Sequence, residues 1–197
     1  MLDPLVVLLQ PDHLTTRSEV LSRLSPVPAA SGVYAWHFDV ALPGMPLEDT
    51  RETDFGRLLY VGIAPRQPRR SDNRPSNQTL RKRIRNHYRG NASGSTLRLT
   101  LGSLLAPELG LQLRRVGRTE RLTFGDGESA LSEWMDEHAR VCWYVDPEPW
   151  LIESKLISEL TLPLNLDQNR YSGFHAVLTA ARHNQRETAR SLPVLLR

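Results

Sequence analysis

Gly32-Val33-Tyr34-Ala35-Trp36-His37-Phe38 and Arg57-Leu58-Leu59-Tyr60-Val61-Gly62-Ile63 are the two stretches that decide the fold. Both are rich in β-branched and aromatic residues, and the first alternates, so both read as strands, paired with one another. Between them, residues 39–54 carry two Pro, a Gly and a group of acids, the composition of an exposed loop. Upstream, residues 5–24 predict a short apolar strand or turn, then a helix capped near Thr16 or Ser18. A Pro-rich connector, 25–31, leads into the first strand.

Downstream, residues 64–79 form a polar, basic, Pro-broken loop. A helix follows, LRKRIRNHYR, with Asn77 or Thr79 as its N-cap and Gly90 as its terminator. Ser95 opens another helix, STLRLTLGSLLAPEL, with Leu97, Leu101, Leu104 and Leu105 on one face. Residues 111–124 suggest a hairpin turning at Gly117-Arg118, and 126–139 an amphipathic helix. A buried strand over 141–145 comes next. Pro147 fits the first turn of a helix through WLIESKLISEL that ends by Pro163, and a last helix covers about 173–190. The pattern is α+β: a small antiparallel or mixed three-stranded sheet flanked by helices.

The chain has 197 residues, enough to bury a core without metal or disulfide staples. Its single cysteine, Cys142, excludes an intramolecular disulfide and leaves too few ligands for a Cys-based zinc site. No apolar run approaches the ~20 residues of a membrane span. The start, MLDPLVVLLQPDH, lacks a basic leader and is too short for a signal peptide, which predicts a soluble, cytoplasmic protein. Net charge is only +3, yet residues 66–89 hold nine Arg or Lys against Asp72 alone. Residues 1–56 carry three Arg against eight acids, and residues 126–159 two basic residues against nine acids. A basic block between acidic ones is one footprint of a phosphate binder, and it also fits an Arg-rich surface loop.

Six positions stand out chemically. Glu153 lies in an apolar helical stretch whose buried side is expected to be Trp150, Leu151, Leu156, Ile157 and Leu160. A carboxylate there is costly unless it is paired or binds a cation; taken alone, it reads as an exposed helix residue paired with an arginine sooner than as a metal ligand. Arg83 and His87, four apart, share a helix face and could grip a phosphate and shuttle a proton, or belong to a solvated basic face. Tyr34 and Tyr60 hold matching positions on neighbouring strands. Gly62 would let a substrate backbone approach closely, or simply end a strand.

In this order the motifs resemble the GIY-YIG endonucleases. Gly32-Val33-Tyr34 stands where that family has its GIY strand and Tyr60-Val61-Gly62 where it has YIG. Leu80-Arg81-Lys82-Arg83-Ile84-Arg85-Asn86-His87 resembles its first helix, with Arg83 at the family's arginine. Glu153 matches the acidic helix and Pro163-Leu164-Asn165-Leu166 the distal Pro-x-Asn segment. His87 and Asn165 most resemble the restriction-endonuclease branch. Both central motif residues are Val rather than Ile, the spacer between the Tyr motifs is long, and 64–79 is an insertion. The resemblance divides the chain into an N-terminal extension (1–31), a nuclease domain (32–169, with an insertion at 91–139) and a C-terminal helical extension (170–197).

The resemblance implies metal-dependent hydrolysis of phosphodiester bonds in DNA, of restriction, repair or mobile-element type. The rival reading is a binding module that keeps the fold with weak or no catalysis. On the nuclease reading Glu153 holds Mg²⁺ or Mn²⁺ and Arg83 contacts the scissile phosphate. Tyr60 acts as general base or orients the water, with Tyr34 as the alternative base; either phenol needs a nearby cation to lower its pKa. His87 assists proton transfer or steadies the phosphate, and Asn165 positions Glu153 or Tyr34. Gly32 and Gly62 serve backbone geometry. Arg66, Arg69, Arg70, Arg74, Arg81, Lys82 and Arg85 track the nucleic-acid backbone. Clean duplex cleavage would call for a homodimer or two sequential events, and no membrane partner is implied.

Overall fold

A computed structural model of the chain describes residues 3–48, 50–68, 76–166 and 173–196. The elements run α1 (Pro4–Leu9), α2 (Arg17–Leu21), β1 (Gly32–Phe38), β2 (Arg51–Thr53), β3 (Gly56–Ala64), α3 (Leu80–Arg89) and α4 (Thr96–Leu104). They continue with α5 (Ala106–Leu109), β4 (Arg114–Val116), β5 (Arg121–Thr123), α6 (Gly127–His138), β6 (Ala139–Val145), α7 (Pro149–Glu159) and α8 (His175–Ser191). The main sheet is antiparallel in the order β2-β3-β1-β6. It therefore has four strands rather than three. The extra one, β2, is a short polar edge strand with none of the apolar residues that mark the others.

β1 is the central strand, and all seven of its residues are buried because helices cover both faces. Tyr34, Trp36 and Phe38 point into a core shared with Leu80, Ile84 and Tyr88 of α3. Val33 and Ala35 point the other way, onto Leu8 of α1 and Leu156 of α7. Full burial of each such large side chain is worth about 1.5–3 kcal/mol. His37 sits on the second face, with Nε2 3.1 Å from the Leu8 carbonyl and Nδ1 3.2 Å from the Thr53 hydroxyl. Burial pulls its pKa down to about 4, so it is a neutral core residue.

The strands 32–38 and 57–63 and the helix 80–89 form where the sequence indicates. The Thr79 side chain accepts from Lys82 N at the start of α3, and Gly90 closes it. The apolar segment at residues 4–9 is a helix instead of a strand or turn: Asp3 caps it and Pro4 takes its first position. Pro149, not Pro147, takes that place in α7. α7 stops at Glu159, before Pro163, and Leu151 is 62% exposed rather than on the buried side. The expected helix from Ser95 breaks at Leu105 into α4 and α5, with Pro107 in the first turn of the second. Within the loop 39–54, Leu42 and Met45 are buried in the core rather than exposed.

One buried ion pair ties two helices of the insertion together, and its arginine also reaches the main chain of α3. The Arg98 guanidinium of α4 is fully buried and donates to Glu128 Oε2, to the Glu128 carbonyl, to the His87 carbonyl and to the Ser132 hydroxyl. Glu128 in turn accepts from Ala92 N, Thr123 Oγ1 and Phe124 N. Such a pair is tolerable because nearly every polar atom is satisfied. α8 covers this layer, with Phe174, Leu178 and Ala189 in the same core as Tyr34. Among the described residues no helix is long and apolar enough to cross a membrane.

Candidate active site

Antiparallel pairing puts Tyr34 opposite Gly62 and Trp36 opposite Tyr60. The two tyrosines therefore stand diagonally on the same face of the sheet, ring centroids 6.4 Å apart. Gly62 is explained by this arrangement: a Cβ there would lie 2.5 Å from the Tyr34 hydroxyl oxygen. The space is filled by the tyrosine ring of this chain, not kept open for a substrate backbone. Gly32 lets β6 approach, since a Cβ on it would collide with the Tyr144 carbonyl.

α3 lies over this face and delivers His87 and Arg83 one turn apart. His87 is fully buried, with Nε2 2.8 Å from the Tyr34 hydroxyl and Nδ1 2.7 Å from the Ser95 hydroxyl. Burial, aided by the nearby Arg83 and Arg98 charges, holds its pKa well below 6.5. A neutral imidazole has one N–H, so it joins the two hydroxyls as donor to one and acceptor from the other. His87 lies behind Tyr34, and full burial keeps it out of reach of a phosphate in the cleft. Ser95 also accepts from Arg98 N at the start of α4. The sequence identifies it only as a helix-opening residue; nothing in the sequence signals its bond to His87.

Arg83 donates to the Gly94 carbonyl at 3.0 Å, and its charge acts on both tyrosines. Burial raises the Tyr34 phenol above its ordinary value, while Arg83 and Tyr60 oppose that shift. Tyr60 is pushed up further, by burial and then by Tyr34. Both phenols are therefore held in the neutral form, Tyr34 less strongly than Tyr60.

Glu153 completes the group from α7. Tyr34, Tyr60, Gly62, Arg66, Arg83 and Glu153 line one cleft of about 590 Å³. Burial lifts the Glu153 pKa from 4.5 to about 7. Among the described residues no hydrogen bond or ion pair reaches its carboxylate. A desolvated carboxylate with no partner is a place for a cation. Among the described residues there is also no cluster of three or more His, Cys, Asp or Glu. The donor set therefore fits Mg²⁺ or Mn²⁺, which bind through one carboxylate plus water and phosphate oxygens, and does not fit a closed zinc site. A separate, more apolar pocket of about 410 Å³ beneath α1, lined by Val6, Val7, His13 and Trp143, gathers no comparable charges.

Asn165 makes a different contact from the one expected. Its side chain accepts from Val61 N at 2.9 Å and donates to Val61 O at 2.8 Å. With Leu164 N bonded to Leu59 O, it acts as a short substitute strand along β3 beyond the end of β2. It braces the segment that carries Tyr60 and Gly62, and bonds to neither Glu153 nor Tyr34.

The basic residues divide by side of α3. Arg66 lines the cleft and Lys82 is exposed, its Nζ donating to the Asn77 carbonyl. Arg81 Nε bonds to the Val27 carbonyl and Arg85 to the Leu21 carbonyl, on the side facing α2 and its connector. Arg69, Arg70 and Arg74 lie outside the described residues. Trp134 is buried and Trp143 packs against the core, whereas Trp150 lines the cleft.

A family model described as the GIY-YIG catalytic domain matches residues 32–184. No curated protein and no solved structure matches the chain.

Proposed function

The chain belongs to the GIY-YIG family and is a nuclease, a hydrolase of phosphodiester bonds, and on that premise we propose a DNA endonuclease that requires Mg²⁺ or Mn²⁺. Glu153 carries this reading: a carboxylate held in a largely desolvated setting, facing an arginine and two tyrosines across a cleft. Glu153 would hold the ion. When bound, the ion supplies charge neutralisation at the phosphate.

The remaining roles follow from the side chains themselves. The Arg83 fork takes the non-bridging oxygens of the scissile phosphate, where charge grows in the transition state. With His87 protonated at Nδ1, Tyr34 donates its O–H to Nε2, and its oxygen lone pairs accept from the attacking water. Tyr34 thus orients the nucleophile, and His87 positions Tyr34 without contacting the phosphate. Tyr60, the phenol held further from ionisation, donates to a phosphate oxygen. Water oxygen bonds to phosphorus and releases one proton to solvent, the bond to the leaving sugar oxygen breaks, and that oxygen takes up a proton from solvent. Arg66 and Lys82 contact the backbone on either side without reading sequence.

The physiological task is of restriction, repair or mobile-element type, carried out in the cytoplasm. One cleft cuts one strand, so double-strand cleavage is the work of a homodimer or of two sequential events. The test is cleavage of end-labelled duplex, single-stranded and branched DNA with Mg²⁺, with Mn²⁺ and with EDTA. Cutting only with metal supports the reading. Salt-dependent binding with no cutting in any condition would identify a binding module instead.

A further inference from the structure

The chain has four tryptophans. Trp36 packs edge-on against Tyr88 and His87, Trp134 against Phe38 and His138, and Trp143 against the main core. Trp150 differs. It is half-buried, belongs to neither apolar core, and contacts no other aromatic ring among the described residues. It stands in the first turn of α7, three residues before Glu153, so the two share one helix face. That face lines the catalytic cleft, together with Ile63 and Pro68.

A large aromatic side chain left out of the core and set beside a phosphate-binding arginine has one fitting occupant in a nucleic acid: the π-face of a base. A base inside a continuous duplex is stacked and paired on both sides and cannot reach into such a cleft. An unpaired base can, and a paired one reaches it only by leaving the helix.

Building on the nuclease reading, we propose that Trp150 is a stacking platform for an unpaired base next to the scissile phosphate. The substrate class is then DNA with an unpaired nucleotide at the cleavage point: a single strand, a flap or a gap. The apolar wall of Ile63 and Pro68 bounds the same subsite, and Arg66 and Arg83 hold the phosphates that flank it.

Binding is measured with the whole chain in EDTA at low salt, where no cutting occurs. The probes are a fluorescently labelled single-stranded oligonucleotide and its counterpart with one abasic site at the nucleotide that flanks the cleavage point. Stacking predicts that Trp150→Ala weakens binding of the intact oligonucleotide by about 5- to 100-fold. Trp150→Phe, which keeps a ring, should stay within a few-fold of wild type. The abasic site should cost wild type about as much as Trp150→Ala costs the intact strand, and cost Trp150→Ala little more. Circular dichroism confirms that the variants fold.

Equal affinity of wild type and Trp150→Ala, or additive losses in the two-by-two comparison, overturns the proposal. Wild type that binds matched duplex more tightly than single strand also overturns it. The same oligonucleotides with Mg²⁺ test the nuclease reading separately. Cutting with an unchanged Trp150→Ala affinity removes the stacking subsite alone. An intact stacking pattern without cutting removes the nuclease reading alone.

Discussion

Replacing Glu153 by Gln removes a charge while keeping the side chain's shape. Burial holds the carboxyl at about 7, against its ordinary 4.5. Between those values the folded protein binds the proton more tightly than the unfolded chain does. Stability therefore falls as pH rises through that window. Once pH exceeds 7 the ionised, unpartnered carboxylate costs about 2–3 kcal/mol, the lower figure allowing for its partial exposure. Urea unfolding in EDTA should find Glu153→Gln more stable than wild type by that amount near pH 8 and equal to it near pH 4. The gap should open between pH 4.5 and 7, with similar denaturant slopes. Added Mg²⁺ near pH 8 should stabilise wild type and leave the variant unchanged, closing the gap. A difference that stays flat with pH, or a variant less stable than wild type near pH 8, would refute the reasoning that this carboxylate is desolvated and unpartnered.

Arg83→Ala should lower kcat by about 10²–10³, the loss typical of a donor aimed at transition-state charge. Among the described residues its main-chain bond is to the Gly94 carbonyl, which predicts a stability change of about 1 kcal/mol; a fully active variant removes Arg83 from the mechanism. Gly62→Ala should displace the Tyr34 hydroxyl and cut activity at least about tenfold, with an overpacking cost of about 1–3 kcal/mol. Unchanged turnover would mean that the position of Tyr34 does not matter. Asn165→Ala strips partners from both main-chain groups of Val61 and should destabilise the fold by about 1–3 kcal/mol, read by thermal melting. A melting temperature equal to wild type would show that the substitute strand contributes nothing.

The parts of the fold that the sequence reveals are those with a local signal. β1 and β3 carry aromatic and β-branched residues, α3 is bounded by Thr79 and Gly90, and the β4–β5 hairpin turns at Gly117. β2 escapes because Arg51, Glu52 and Thr53 are all polar, and only pairing with β3 makes them a strand. α1 is misread because its Val and Leu residues resemble a strand, while Asp3 and Pro4 set its start. Leu151 is misplaced because α7 begins at Pro149 and only one side of it meets the sheet.

The site divides the same way. The motif order singles out Tyr34, Tyr60, Arg83 and Glu153, and all four line one cleft. Their supporting contacts are long-range and have no local signature. Asn165 meets Val61 across 104 positions, and Arg98 and Glu128 pair between two helices of the insertion. The same holds for Ser95: its capping role is visible in sequence, and its bond to His87 exists only because α4 folds back on α3.

The most direct test of the central claim is the initial rate of DNA cleavage against Mg²⁺ concentration, for wild type and Glu153→Gln side by side. The account predicts a saturable, Mg²⁺-dependent rate for wild type, abolished by EDTA, and no measurable rate for the folded variant at any Mg²⁺ concentration. Equal cleavage by Glu153→Gln, or wild-type cleavage that persists in EDTA, would contradict it.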